Sequence, residues 1–374
     1  MGKFGKRNVL SVNPLDYNIC ILGEPKWGKT TLIKEYLEKL AGINGYIMLE
    51  MNGERGTDAI ANAVYENVDS WDVYDEIIED IVDNKVSDYP ELKGIAIDTY
   101  DGLIKLAEQE AIRLWNSSNP DKRANSIDAA WNGFQKGQAK AFDLMFESFN
   151  RLRSVGVSVV IIGHVKNRDL TDIASGETYT TLTSDVEKVY FNLLKKKMHV
   201  IGLGYYDRTI KTEKTGKKNV VTHKDITVNR LVGEERRIAF RDDNHAIDCG
   251  SRFANIIDDI PCNVDAFIDA ITNAIKAEQS KSGTTYEQAK KDQEEAEKER
   301  EKQIAEAEEK RKQDKIFEDI MNQIKTYVKN NAKDNMDSVR EILKFSKGLG
   351  YDNPTAITKL EDAEQVLDYI NNIK

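Results

Sequence analysis

Apolar and polar positions along this chain change their rhythm several times, and each change marks an element. Between Asp16 and about Ile275, short runs of consecutive apolar residues alternate with stretches whose apolar positions recur at helical spacing. The runs at 18–22, 45–49, 94–98, 158–163 and 200–206 read as buried strands. Residues 31–40, with apolar side chains at 32, 33, 36, 37 and 40, read as a helix with one apolar face. Such alternation predicts an α/β fold, a mainly parallel sheet flanked by helices. A more antiparallel part follows at 209–214 and 220–229, turned at Thr215-Gly216-Lys217-Lys218. Residues 237–241 are expected to add an edge strand, and 263–277 a closing helix.

From Tyr286 to Lys315 the apolar rhythm disappears, and nearly every residue is Glu, Lys, Gln, Ala or Arg. Opposite charges recur four residues apart, as in Glu294 with Lys298 and Glu306 with Lys310, which supports a solvated single helix. Without an apolar heptad seam it reads as a spacer rather than a coiled coil. Periodicity returns through Ile316, Ile320, Ile324 and Val328, then Val339, Ile342, Leu343 and Leu349, then Ala363, Val366, Leu367 and Ile370. The expected organisation is a basic lead-in at 1–15, an α/β domain at 16–278, a charged helical linker at 279–315 and a small all-α domain at 316–374.

Composition narrows this picture. A formal net charge of −10 over 374 residues argues against a general nucleic-acid coat, though not against local basic patches. No apolar run approaches bilayer length, and the first residues lack a signal-peptide core, so no membrane partner is expected. Cys20, Cys249 and Cys262 have no metal-ligand spacing and read as reduced thiols in a cytoplasm.

The chemistry begins at Gly23-Glu24-Pro25-Lys26-Trp27-Gly28-Lys29-Thr30-Thr31, between the first strand and the first helix. A glycine loop in that setting aims backbone N–H groups and a helix N-terminus at one point, which favours a polyphosphate. Lys29 would reach the β- and γ-phosphates of ATP, and the Thr30 hydroxyl would ligate Mg²⁺. Trp27, bulky for its place, is expected to point outward. The strand Gly94-Ile95-Ala96-Ile97-Asp98 ends in a carboxylate suited to hold Mg²⁺ near Thr30. The next residue is Thr99, where ATPases that draw their base from this strand carry glutamate. The base must come from a neighbouring strand end, where Glu50 and Glu54 are the candidates. His164, ending the run Val159-Val160-Ile161-Ile162-Gly163, either donates a hydrogen bond to the γ-phosphate or simply caps its strand.

Together these residues resemble the RecA-type core, and within it the bacteriophage Sak-type single-strand annealing and recombination proteins. The resemblance spans roughly residues 14–277. It rests on the phosphate loop, Glu54-Arg55-Gly56, Trp71, Ile97-Asp98-Thr99, Ile162-Gly163-His164 and Gly250-Ser251-Arg252-Phe253. It implies an ATPase that uses Mg-ATP in single-stranded DNA transactions and works as a homo-oligomeric ring or filament in the host cytoplasm. It makes Glu54 the base, although the stretch from Glu50 to Glu54 is one or two residues longer than the family spacing. The loop from Val165 to Asp185 would couple nucleotide to DNA, with Lys166 and Arg168 as contacts. Arg252, ahead of Arg241, is the candidate for a cation supplied to a neighbouring subunit.

Basic stretches at 195–197, 211–218 and 230–241 are further candidates for phosphate contacts, and Tyr179 could stack on a base. The helical C-terminal segment could dock a single-strand binding protein or another recombination protein. The alternative function is a nucleotide-switched, self-assembling protein that docks a partner through that segment and binds no DNA.

Overall fold

The computed structural model describes residues 10–172, 175–218, 225–244, 246–282, 285–334 and 336–373. The chain forms two compact units, one of Met1–Val82 with Tyr89–Lys298, the other of Asp83–Asp88 with Glu299–Lys374.

The first unit is built on a mixed, mostly parallel sheet. Its core strands are β1 (Ile19–Gly23), β2 (Tyr46–Met51), β3 (Tyr65–Val68), β4 (Gly94–Asp98), β5 (Ser158–Thr171) and β7 (Val200–Lys218). The spatial order is β10 (Asp259–Pro261), β8 (Asp225–Ala239), β7, β1, β5, β4, β2, β3. Neighbours from β7 to β3 run parallel, whereas β8 pairs antiparallel with β7 and with β10. β6 (Thr178–Ser184) pairs with the far half of β5, and β9 (Gly250–Ser251) with the start of β7. The apolar runs thus sit where the sheet is covered on both faces. β3 has no such run because only Val68 of its four residues is buried.

Ile19, Ile21, Met48, Ala96, Val160 and Ile162 share a core with α1 (Lys29–Ala41) and α6 (Val264–Gln279). Those helices contribute Ile33, Tyr36, Leu37, Phe267, Ile271 and Ile275, at spacings that build one apolar stripe each. Asn263 starts α6 by accepting hydrogen bonds from the N–H groups of Asp265 (2.8 Å) and Ala266 (3.2 Å). Strand periodicity sends the intervening residues to the other face. There Val159 and Ile161 line a small cavity with Phe146 and Phe149 of α4 (Lys136–Ser154). α3 (Tyr100–Ser118) packs beside α4.

β1 stops at Gly23, but both strands paired with it continue. In register with Gly23 are His164 of β5 and Gly204 of β7. Beyond those points β5 runs on to Thr171 and β7 to Lys218, roughly 24 Å and 48 Å of strand at about 3.4 Å per residue. Two antiparallel hairpins therefore rise from the end of the sheet where the phosphate loop lies. The segments expected at 200–206 and 209–214 are one strand, because pairing with β8 carries its backbone from Leu203 to Lys214 across one register shift at Thr209/Ile210. Thr215–Lys218, expected as a turn, belongs to that strand; residues 219–224 lie outside the described residues. Arg237–Ala239 is no edge, since β7 and β10 flank it.

α7 (Tyr286–Asp334) is one continuous 49-residue helix. Within the first unit Gln293 accepts from the Val12 N–H (2.6 Å) and donates to Ser11 (2.8 Å) and Asp16 (3.1 Å). In the second unit Glu308 is 3% exposed: it accepts from the Val86 N–H (2.5 Å) and pairs with Lys312 (2.8 Å). Ile320, Met321 and Ile324 pack there with Ile342 of α8 (Met336–Gly348) and with Ala363, Val366 and Ile370 of α9 (Leu360–Ile373). Among the described residues no helix is long and apolar enough to cross a membrane.

Candidate nucleotide site

The loop from Gly23 to Gly28 joins the end of β1 to the start of α1. Gly28 takes φ +107°, a left-handed conformation that glycine adopts without steric cost. The helical ladder opens with the Leu32 N–H on the Gly28 carbonyl (3.0 Å). The N–H groups from Gly28 to Thr31 therefore precede it, at the positive end of the helix dipole. Lys29 is 6% exposed, and its ammonium donates to the carbonyls of Gly23 (2.9 Å) and Glu24 (3.0 Å). Burial lowers its pKa, against the pull of Asp98, Asp101, Glu54 and Asp185. Glu24 is half-buried; Pro25, Lys26 and Thr31 are exposed.

Trp27 does not point outward. It is fully buried, its indole N–H donates to the Tyr205 carbonyl (3.1 Å), and its ring covers Gly204. A Cβ at Gly204 would lie 2.6 Å from that ring, so a side-chain-free position on β7 makes the slot.

The Thr30 hydroxyl donates to Asp98 Oδ2 (2.7 Å). Asp98 is 4% exposed, and burial raises its pKa to about 6, with Glu54 and Glu50 pushing the same way and Thr30 and Lys29 opposing. Glu50 lies in register with Asp98 on the next strand and is also buried. Its Oε1 accepts from the Thr57 N–H (2.6 Å), while Oε2 is buried with no partner. A hydroxyl and a carboxylate side by side, with a spare buried oxygen one strand away, fit a hard divalent cation such as Mg²⁺.

Glu54 goes elsewhere. Asn52 (φ +54°) and Gly53 (φ +82°) turn the chain after β2, which accommodates the long spacing. Ligand atoms of Glu54, Asp101 and His164 all lie within 4.8 Å of one another. His164 Nδ1 is 3.3 Å from Asp101 Oδ1. That contact raises the His164 pKa, although burial and Lys29 act to lower it. Burial, the largest single influence, would raise Asp101, but His164, Thr99 and its own backbone together outweigh it and the pKa falls. The sequence reading missed Asp101. The signal was Asp98-Thr99-Tyr100-Asp101, which puts a carboxylate in the first turn of the helix that follows β4.

The segment 165–185, expected as a loop, is largely hairpin, with Val165 to Thr171 paired to Ser184 to Thr178. The Asp185 N–H donates to the His164 carbonyl (3.1 Å), and Lys166 donates to the Asp185 carbonyl (2.6 Å). Arg168 and Tyr179 line a cleft of about 520 Å³ with Lys188, Phe191, Lys195 and Arg241. Arg252 lies at the opposite end of β7: its N–H meets the His199 carbonyl and its guanidinium the Lys196 carbonyl. Within one chain it does not join the phosphate loop. Arg241 donates to the carbonyls of Phe253 (3.2 Å) and Ala254. Arg236, which the sequence did not single out, donates from Nη1 to the Trp27 carbonyl (2.9 Å). Side chains at 214–226 lie outside the described residues.

A family model described as an AAA domain matches residues 15–227. No curated protein matches the chain.

Proposed function

The chain belongs to the AAA domain family of P-loop nucleotide-binding ATPases, and on that premise we propose a Mg²⁺-dependent ATPase coupled to single-stranded DNA in phage recombination. The Sak-type resemblance supports the recombination setting, in the host cytoplasm. Lys29 binds the β- and γ-phosphates, and Thr30 and Asp98 hold Mg²⁺. The metal, when bound, neutralises phosphate charge and polarises the γ-phosphate. Glu54 orients the attacking water and accepts its proton. Asp101 fixes the His164 ring through Nδ1 and favours its charged form, which leaves Nε2 a donor for the γ-phosphate. Arg252, on the far end of the sheet, suits a head-to-tail ring or filament, in which that end meets the next subunit's site.

One observation supports the DNA coupling. β5 is continuous from the core through His164 into the hairpin that carries Lys166 and Arg168. A ligand on the hairpin can bias the histidine, by no more than its differential affinity for the two nucleotide states. The test is ATPase rate with and without single-stranded oligonucleotide, beside DNA affinity with and without ATP. Coupling must be reciprocal between the two binding reactions. Affinity should fall steeply with salt, and Lys166→Ala with Arg168→Ala should remove the stimulation while basal hydrolysis persists.

A rate indifferent to DNA at low salt, with no measurable DNA binding, would favour a nucleotide-switched assembly protein. One observation speaks for that reading: Ile210, Leu231 and Val232 are half or more exposed on the β7–β8 hairpin. In either case we assign the helical unit to docking a protein partner, such as a single-strand binding protein.

A further inference from the structure

The base of the β7–β8 hairpin grips the phosphate loop at a single residue. Trp27 is held from both strands, by the Tyr205 carbonyl of β7 (3.1 Å) and by Arg236 of β8 (2.9 Å). The second bond lays the guanidinium against Gly28, where a Cβ would come within 2.8 Å of Nη1. An arginine carries five N–H donors in one plane, and the Trp27 carbonyl takes one. Its neighbour Arg237 is paired with Asp259 (2.6 Å) and Glu235 (3.2 Å). Among the described residues Arg236 has no carboxylate partner. A cation is thus held at the loop with most of its donors uncommitted.

The order of strands says which part of a nucleotide it would meet. Asp98, Asp101 and His164 belong to β4, α3 and β5, on one side of β1, while Arg236 comes from the β7–β8 side. If the metal and the γ-phosphate lie toward β4 and β5, the α-phosphate and ribose lie toward β7 and β8. We propose that Arg236 binds the α-phosphate end of the nucleotide in its own chain and so ties nucleotide binding to the base of the β7–β8 hairpin. This rests on the reading of the loop as an ATP site.

The experiment measures equilibrium binding of Mg-ATP and Mg-ADP to the full chain by calorimetry. Three variants are compared: Arg236→Gln, Arg236→Lys and Lys29→Ala. Glutamine removes the charge but is two bonds shorter than the guanidinium nitrogens, so urea denaturation of Arg236→Gln without nucleotide is run alongside: a purely structural role would lower stability together with affinity, whereas phosphate binding lowers affinity alone. Arg236→Gln should weaken ATP and ADP alike, by about tenfold or more, roughly 1.4 kcal/mol. Arg236→Lys should recover part of the loss, since it restores the charge without the planar fork. A change below threefold for both nucleotides overturns the proposal, as does a loss confined to ATP, which would put the arginine at the γ-phosphate. Lys29→Ala separates the two failures: if it still binds nucleotide normally, the ATP site itself has been misread.

Discussion

Asp98→Asn tests the metal side of the site without any nucleotide. In the ligand-free fold the carboxyl is displaced from the ordinary value of 3.8 to about 6, mainly by burial. At about 1.36 kcal/mol per unit, that displacement corresponds to roughly 3 kcal/mol. The sign follows from the direction. A carboxyl whose pKa is raised by folding supports stability fully below the unfolded value, and loses that support as pH rises through about 6. Above that pH the wild type carries a buried charge that the fold disfavours. Asparagine removes the charge and keeps an oxygen for the Thr30 hydroxyl. Urea denaturation in EDTA should show the variant gaining on the wild type between pH 4 and 7.5, toward a difference of about 3 kcal/mol. Titrating groups distant from Asp98 cancel in that difference. Added Mg²⁺ should restore the wild type, by about 2.7 kcal/mol at a hundred times its Kd, and leave the variant unmoved. A stability difference flat from pH 4 to 7.5, or an equal response of both proteins to Mg²⁺, would refute the reasoning.

Glu54→Gln should retain ATP binding and slow hydrolysis by about a hundredfold or more. The same loss from Glu50→Gln, with Glu54→Gln active, would transfer the role of base to Glu50. Asp101→Asn should bring the His164 titration, followed by ring-proton NMR, from above the ordinary 6.5 to below it, because burial and Lys29 then outweigh the weaker upward pull of Glu54. An unchanged titration would show that Asp101 does not hold the ring. Gly204→Ala should destabilise the fold by about 1–3 kcal/mol through overlap with the Trp27 ring, read by urea denaturation. The Trp27→Phe background should relieve part of that cost.

Contiguous chemistry was readable from the chain. The phosphate loop needs its glycines, Lys29 and Thr30 within a few residues of one another, so their spacing carries the geometry. The buried strands announce themselves because a sheet covered on both faces requires unbroken apolar runs, as at Ile19–Gly23 and Gly94–Asp98. Tertiary structure decided what depends on partners distant in sequence. Trp27 turns inward because Gly204, far along the chain, leaves room for its ring. Asp101 meets His164 only once β5 has paired beside β4. Arg236 and Arg237 look alike in sequence, yet the register of β8 sends one to the phosphate loop and the other to Asp259. The β5–β6 hairpin could not be told from a loop, and the β7–β8 pair, legible as two short strands, hid its continuity with the apolar run at 200–206, because an exposed ribbon is held by backbone bonds to its partner strand. Those bonds place little demand on side-chain type, so the sequence carries no periodic trace of where β5 and β7 end.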